Sequence, residues 1–243
     1  MRAFKLSLSI ILLSNLVLIA QVDRSFPPKS GPPPEINFGE PKEFIFDNGI
    51  TLMVVENRKL PRVSVSLRID NPLYLSQDKT GVQSLLGIML GKGSKKISKD
   101  DFEEEIDFMG ASLSFSSSSA SAESLSRYFP RVFEMMADAA LNPNFLTEEF
   151  EKEKDKILEG IKVSKKDVKV AARRVENLLS YGRNHPYGEY ASEKSISRIN
   201  ISDINELYLE RFSAKKAYII VVGDIDFETA QRLTQKYFGN WKK

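Results

Sequence analysis

Cysteine is absent from this chain of 243 residues, and histidine occurs once, at His185. The absence of cysteine excludes disulfides, thiol catalysis, thiolate metal sites and a lipid anchor attached to cysteine. A single histidine excludes by counting any metal or active site that needs two of them. The excess of one sign of charge is also small, since 35 basic and 33 acidic side chains leave a formal net charge of +2. The chain therefore lacks the basic excess of a typical nucleic-acid-binding protein.

The amino terminus carries the pattern of a targeting segment. Arg2 and Lys5 precede an apolar stretch over residues 6–20. This stretch is too short to span a bilayer comfortably, but it fits a secretory signal that ends on a small residue, Ala20. We predict a signal peptide over residues 1–20, with an uncleaved anchor as the alternative. Either one implies export, for which we predict the periplasm or cell envelope as the destination, with secretion as the alternative.

A proline-rich segment follows the predicted signal. Residues 21–41 contain six of the eleven prolines of the chain. Such a segment is stiff and extended and is not expected to pack. Hydrophobic residues make up 42% of the chain and charged residues 28%, which are ordinary values for a globular domain with a core. We therefore predict a linker over 21–41 and one folded domain over 42–243.

The folded part has the patterns of both strands and helices. The β-rich runs 43–46 and 51–55 flank Asn48-Gly49, which predicts a hairpin. Residues 63–69 alternate apolar and polar side chains and predict a third strand with one buried face. Further strands are predicted over 111–117 and over 217–222, and the second of these is expected to be buried. Helices are predicted over 80–91, 126–140, 147–165, 168–181 and 226–238. Two more helices are predicted, one capped by Ser98 and one beginning near Ser202. Strands in two groups separated by helices favour an α+β fold, with an antiparallel or mixed sheet and helices packed on one face.

Two stripes run along the helix predicted over 80–91. One is apolar and continuous, with Gly93 as a possible stop, and it consists of Val82, Leu85, Leu86, Met89 and Leu90. The second consists mainly of small residues, namely Ser84, Gly87, Ile88 and Gly91. Because a glycine inside a helix costs roughly 1 kcal/mol relative to alanine, this stripe suggests close backbone packing or room for a peptide. Sequence drift is the alternative.

Several segments together resemble the pitrilysin/insulinase family of zinc metallopeptidases, which includes the mitochondrial processing peptidase. The resemblance covers about 43–243 and rests on the order and spacing of five short motifs. These are Phe46-Asp47-Asn48-Gly49-Ile50-Thr51-Leu52, the stretch from Gly81 to Gly93, Asn144-Phe145 with the charged helix behind it, His185-Pro186-Tyr187-Gly188, and Val221-Val222-Gly223-Asp224-Ile225-Asp226. The resemblance implies the α+β fold of one unit of that family.

The same resemblance implies a zinc site that this chain does not carry. The family places His-x-x-Glu-His on its first helix, with the two histidines as zinc ligands and the glutamate as general base. Here Ser84 and Ile88 stand in place of the histidines and Gly87 in place of the base. Alignment of the later charged helix puts Gly160 at the third ligand position, with Glu159 adjacent. We therefore predict an inactive homologue that binds no metal and has no cofactor.

Other candidate residues are weaker. The resemblance places His185 in a loop motif that is not a zinc ligand. The serines of the run 116–119 have no nearby base, which a nucleophilic serine requires. In the family the matching strand is a sheet edge that pairs with extended substrate, and edge pairing recognises a peptide by its backbone. We predict a peptide-binding edge here, formed by Ser112, Leu113, Ser114, Phe115, Ser116 and Ser117, with a merely polar outer face as the alternative.

The resemblance also implies a partner. Family members contain two similar halves, each a pair of α/β units, and this chain corresponds to the first unit. It is expected to be a truncated version of a longer protein or a one-unit remnant. Inactive members commonly pair with an active sibling, so we predict a non-catalytic subunit that shapes a peptide-binding chamber with a zinc-bearing sibling. The alternative is a stand-alone binding or scaffold module of the envelope that reuses the fold.

Overall fold

The computed structural model describes residues 31–33 and 40–242. The predicted signal peptide and most of the predicted linker lie outside these residues. The strands are β1 (Lys42–Ile45), β2 (Thr51–Glu56), β3 (Arg62–Ile69), β4 (Ser112–Ser116), β5 (Ser119–Leu125) and β6 (Ala217–Gly223). The helices are α1 (Val82–Leu90), α2 (Lys99–Met109), α3 (Phe129–Leu141), α4 (Thr147–Ser164), α5 (Val168–Tyr181), α6 (Glu193–Ser197), α7 (Ile201–Arg211) and α8 (Phe227–Phe238). In the part of the chain that the structure describes, no helix is long and apolar enough to cross a membrane.

The six strands form one mixed sheet in the order β1-β2-β6-β3-β5-β4. The strands β2 and β6 run parallel, and the other neighbours are antiparallel. The predicted hairpin is present as β1 and β2, with Gly49 in its turn at a φ of +91° that favours glycine. This order places β1 and β4 at the two edges of the sheet.

Helices cover one face of the sheet, and the core lies between the two layers. The side chains of β2, β3, β5 and β6 alternate between buried and more exposed positions. Leu52, Leu67 and Ile219 are fully buried on the inner face, whereas Tyr218 and Val222 are more than a third exposed on the outer one. The predicted α+β class, with helices on one face of a mixed sheet, is confirmed.

The structure differs from the predicted elements in several places, among them the short helix α6, which was not predicted. Strand β5 was not predicted, because its buried positions are small residues, Ala120, Ala122 and Ser124, rather than the branched residues that signal a strand. Strand β6 was expected to be buried but is buried on one face only. Helix α1 ends at Leu90 with Gly91 as its cap, two residues before the expected stop at Gly93.

Candidate functional site

Helix α1 lies between the core and the edge strand β4. It begins after Gly81, whose φ of +111° suits glycine, and its predicted apolar stripe is buried as expected. On the opposite side, Ser84 is exposed and Ile88 is half-buried. The two positions predicted to correspond to zinc ligands therefore face outward, beside the edge of the sheet.

Gly87 brings α1 against the backbone of β4. A Cβ atom at this position would lie 2.9 Å from the Ser116 Cα and 3.1 Å from the Phe115 carbonyl oxygen. Carbon atoms that are not bonded approach favourably to only about 3.5–4.0 Å, so a side chain here would have to displace β4. At Gly87, the position that the sequence predicted to correspond to the general base, the backbone of the neighbouring strand therefore leaves no room for a side chain.

A shallow groove of about 490 Å³ follows the line where α1 meets β4. Phe115 contributes its ring, which would make ordinary contact at 3.5 Å with a Cβ on Gly91. At the end of the strand, the Ser117 hydroxyl donates to Gln83 Oε1 over 3.2 Å and ties the strand to the helix. Three of the predicted degenerate positions, without Gly160, thus share one groove with all of the predicted peptide-binding edge except Ser112. The groove is lined by Gln83, Ser84, Gly87, Ile88, Gly91, Lys92 and residues 113–117.

Gly160, which the sequence predicted at the third ligand position, lies on α4 in open surroundings. Gly160 is exposed, and no heavy atom outside its own helix backbone lies within 4 Å of the place where its Cβ would be. The adjacent Glu159 is also exposed and pairs with Lys162 at 2.7 Å. None of Gly160, Ser84 and Ile88 has a side-chain nitrogen or carboxylate that could bind zinc. Among residues 40–242, no three His, Asp or Glu side chains are grouped so that they could hold a metal ion.

An ion pair that sequence reasoning missed links α4 to the end of α1. The carboxylate of Glu153 is buried and lies 2.9 Å from Lys92 Nζ and 2.8 Å from Lys156 Nζ. Burial alone would raise the pKa of Glu153, but its hydrogen bonds to Lys156 and Lys92 outweigh burial and hold the pKa below its usual value. The spacing of Glu153 and Lys156 on a helix predicts their contact, whereas only the fold brings Lys92 to them.

Strand β4 lies at the sheet edge, and in the described residues only β5 pairs with it. Its serines are engaged with those of β5, since the hydroxyls of Ser114 and Ser121 are 2.9 Å apart and those of Ser116 and Ser119 are 2.8 Å apart. These contacts give the serine run a structural use on the outer face of the sheet.

His185 belongs to a loop far along the chain from these motifs. Its Nδ1 accepts a hydrogen bond from the Tyr187 backbone N–H over 3.1 Å, which caps the short 3₁₀ helix Pro186–Gly188. Its ring stacks on Tyr181 with centroids 5.2 Å apart. The histidine therefore holds the loop against α5, as the loop motif predicts.

Comparisons with known proteins identify the family. The description "Insulinase (Peptidase family M16)" applies to a family profile that matches residues 52–189, and "Peptidase M16 inactive domain" to one that matches residues 198–243. Because the first match alone covers more than half of the sequence, this chain belongs to the insulinase family of peptidases, as the motifs suggested.

Relatives of known name are similar over most of this chain. The mitochondrial-processing peptidase subunit beta of Mus musculus is 25% identical over 225 residues, which are 90% of this chain and 46% of that protein. The cytochrome b-c1 complex subunit 1 of Bos taurus is 23% identical over 198 residues, or 79% of this chain and 41% of that protein. The chain thus spans less than half the length of these relatives.

Solved structures share the fold. A peptidase M16 inactive domain from Pseudomonas fluorescens superposes with a TM-score of 0.71 at 23% identity, covering 82% of this chain and 50% of that one. The first half of the periplasmic protease PqqL from Escherichia coli gives a TM-score of 0.69 at 18% identity, covering 84% of this chain and 46% of that one. These likenesses establish the architecture.

Proposed function

We propose that this chain is a non-catalytic subunit of an insulinase-type peptidase system in the periplasm or cell envelope. The observation that carries the proposal is Gly87, where the backbone of β4 leaves no room for the side chain of a catalytic base. Ser84, Ile88 and Gly160 likewise replace zinc ligands with groups that cannot serve as such. The relatives named as subunits of mitochondrial peptidases and of the b-c1 complex support a subunit role, and the matched inactive-domain profile agrees with it.

In this proposal a sibling chain with an intact His-x-x-Glu-His motif supplies the chemistry, and this chain helps to enclose the peptide. The groove between α1 and β4 is the surface that it offers. An extended peptide would pair with the open edge of β4 through backbone hydrogen bonds, with its side chains beside Ser84, Ile88 and Phe115. The periplasmic location of the structural relative PqqL supports the proposed compartment.

The test is purification of the tagged full chain from its native envelope, with mass spectrometry of the proteins that accompany it. We expect a sibling of the same fold with an intact motif, and zinc-dependent peptidase activity of the reconstituted pair above that of the sibling alone. Recovery of the chain alone, or only with proteins of other folds, would contradict the proposal and favour the stand-alone scaffold. An active sibling whose rate does not change when this chain is added would also contradict it.

A further inference from the structure

Exposed hydrophobic side chains are concentrated around helix α5. Of the sixteen large hydrophobic residues exposed in the described chain, seven lie within residues 163–190. Helix α5 itself has fourteen residues, none of them buried. Val168 is 80% exposed and Leu179 is 81% exposed, at opposite ends of the helix. A helix this apolar and this exposed is expected to be covered by another surface.

The exposed residues of α5 have the spacing of a coiled-coil seam. Val168, Ala172, Val175 and Leu179 are separated by four, three and four residues, which is the alternation of the two core positions in a heptad repeat. All four are exposed. Small and branched side chains at these positions allow a second helix to approach closely.

The opposite side of α5 already faces its own chain. The Arg174 guanidinium lies 5.3 Å from the centre of the Tyr190 ring, and Tyr181 stacks on His185. Val170 and Asn177 line a cavity that they share with Tyr190, and Lys169, at the flank of the helix, borders it as well. In a coiled coil this side would face solvent, so the fold holds α5 with its seam turned outward.

The charges beside the seam indicate what covers it. Lys169 and Glu176 each follow a seam residue directly, and within the described residues neither side chain forms an ion pair. When two such helices pair antiparallel, residues at this heptad position meet each other across the seam. Lys169 of each copy then faces Glu176 of the other copy, and the two-fold symmetry gives two such contacts in the dimer. The surface is therefore complementary to itself.

We propose that two copies of this chain associate through α5 as an antiparallel pair of helices around a two-fold axis. Val168 packs against Leu179 of the second copy, and Ala172 packs against Val175, so that the four seam residues of both copies are buried together. A two-fold contact uses the same surface on both copies and closes at a dimer. Two heptads form a short seam, so the dimer is reversible and its population depends on concentration. This proposal does not depend on the presence of a sibling.

The first experiment is sedimentation equilibrium of the purified full chain over a range of concentrations. We expect a monomer–dimer equilibrium in the wild type. Leu179→Glu places a carboxylate in the seam of each copy and should raise the dissociation constant by at least roughly a hundredfold. Leu209→Glu is the matched control, since Leu209 is 77% exposed on α7, and it should leave the equilibrium unchanged.

Charge reversal tests the direction and register of the pair. Lys169→Glu and Glu176→Lys each create two like-charge contacts in the homodimer, and each should weaken it by about tenfold. A mixture of these two variants should form a heterodimer, because every contact across the seam is then between opposite charges. Lys215→Glu, which makes the same charge change on an exposed loop, should have no effect, and circular dichroism checks that all variants fold.

Three results would overturn the proposal. One is a wild-type chain that stays monomeric throughout the concentration range. Another is a dimer that persists in Leu179→Glu, which would place the contact elsewhere. The third is a mixture of the two charge variants that associates no better than either variant alone. The two proposals can fail separately. A chain that captures the sibling but does not self-associate would contradict only the dimer, and a chain that self-associates but captures no sibling would contradict only the proposed function.

Discussion

Two glycines inside helices differ in what surrounds them, and this difference gives opposite predictions. Gly160→Ala adds a methyl group in open space and should stabilise α4 by about 0.5–1 kcal/mol, the usual advantage of alanine over glycine. Gly87→Ala gains the same helix preference but places its Cβ against the β4 backbone, so it should lower the free energy of unfolding by a net 1–3 kcal/mol or so. Urea unfolding of both variants measures the two signs. A stabilised Gly87→Ala would show that β4 yields easily.

The buried carboxylate of Glu153 should make stability depend on pH. Lys156 and Lys92 hold its pKa in the folded state below that of the unfolded chain, despite burial. Its contribution is therefore complete above the unfolded value near 4.5 and is lost as the pH falls through the lower folded value. Glu153→Gln should lower the free energy of unfolding by about 1–3 kcal/mol near neutral pH. In urea unfolding, the midpoint of this variant should fall less steeply than that of the wild type as the pH is lowered.

Glu159→Gln is the matched control for this carboxylate. Glu159 also pairs with a lysine three residues ahead, but its side chain is 69% exposed. Exposed pairs of this kind contribute about 0–1 kcal/mol, so this variant should follow the pH profile of the wild type. Equal profiles for the wild type and Glu153→Gln would refute the assigned role of the buried pair.

At the scale of elements, the sequence predicted those parts of the fold whose signals are local. The observed ranges of α4 and α5 agree with the predicted helices to within one residue, because their apolar and charged residues keep helical spacing over many turns. Strand β5 escaped prediction because its packing uses alanine and serine, which carry little preference for a strand. The apolar run of β6 did not reveal that helices cover only one of its two faces, because its residues do not alternate between apolar and polar.

The sequence singled out residues that the structure brings to one groove, but it did not predict the contacts between them. The small stripe on α1 indicated close backbone packing, and Gly87 confirms this half of the interpretation. That the packing partner is β4 depends on a contact between residues almost thirty positions apart, which periodicity does not reveal. The approach of Lys92 to Glu153 is hidden for the same reason.

Strand β4 gives a prediction about peptide binding. Phe115→Pro removes a backbone N–H from the edge strand and should weaken binding of a fluorescein-labelled, proline-free peptide of about ten residues, measured by anisotropy, by roughly tenfold. Phe115→Leu keeps the N–H and should bind nearly as well as the wild type. Proline is tolerated on edge strands, and circular dichroism checks that the sheet remains. Equal affinities of the proline and leucine variants would contradict recognition through the edge.

At the scale of the whole molecule, we expect the described fold to be stable without a metal. The core is a continuous apolar layer between sheet and helices, and α1 is held to β4 and α4 by packing and by the Lys92–Glu153 pair. We expect excess EDTA to leave the thermal midpoint unchanged and added zinc to produce no saturable rise. A rise in the midpoint with zinc would indicate bound metal, because a ligand that prefers the folded state stabilises it.

The outer face of the sheet is a second feature of the whole molecule. Tyr218 and Val222 expose apolar surface at the centre of the sheet, next to the polar rows of β3 and β5. The proposed enclosure of a peptide together with a sibling would bring such a face into contact with the peptide or the partner. The α5 seam lies on a helix, so the two surfaces can be tested by separate substitutions.

The contact at Gly87 also limits which sequences can be reached from this one. A ligand residue could replace Gly160, because no backbone lies near the place of its side chain. It could also replace Ser84, which is exposed, or Ile88, which is half-buried. A glutamate at position 87 would have to push β4 aside. A carboxylate at this position therefore requires coordinated changes in a helix and in the strand beside it.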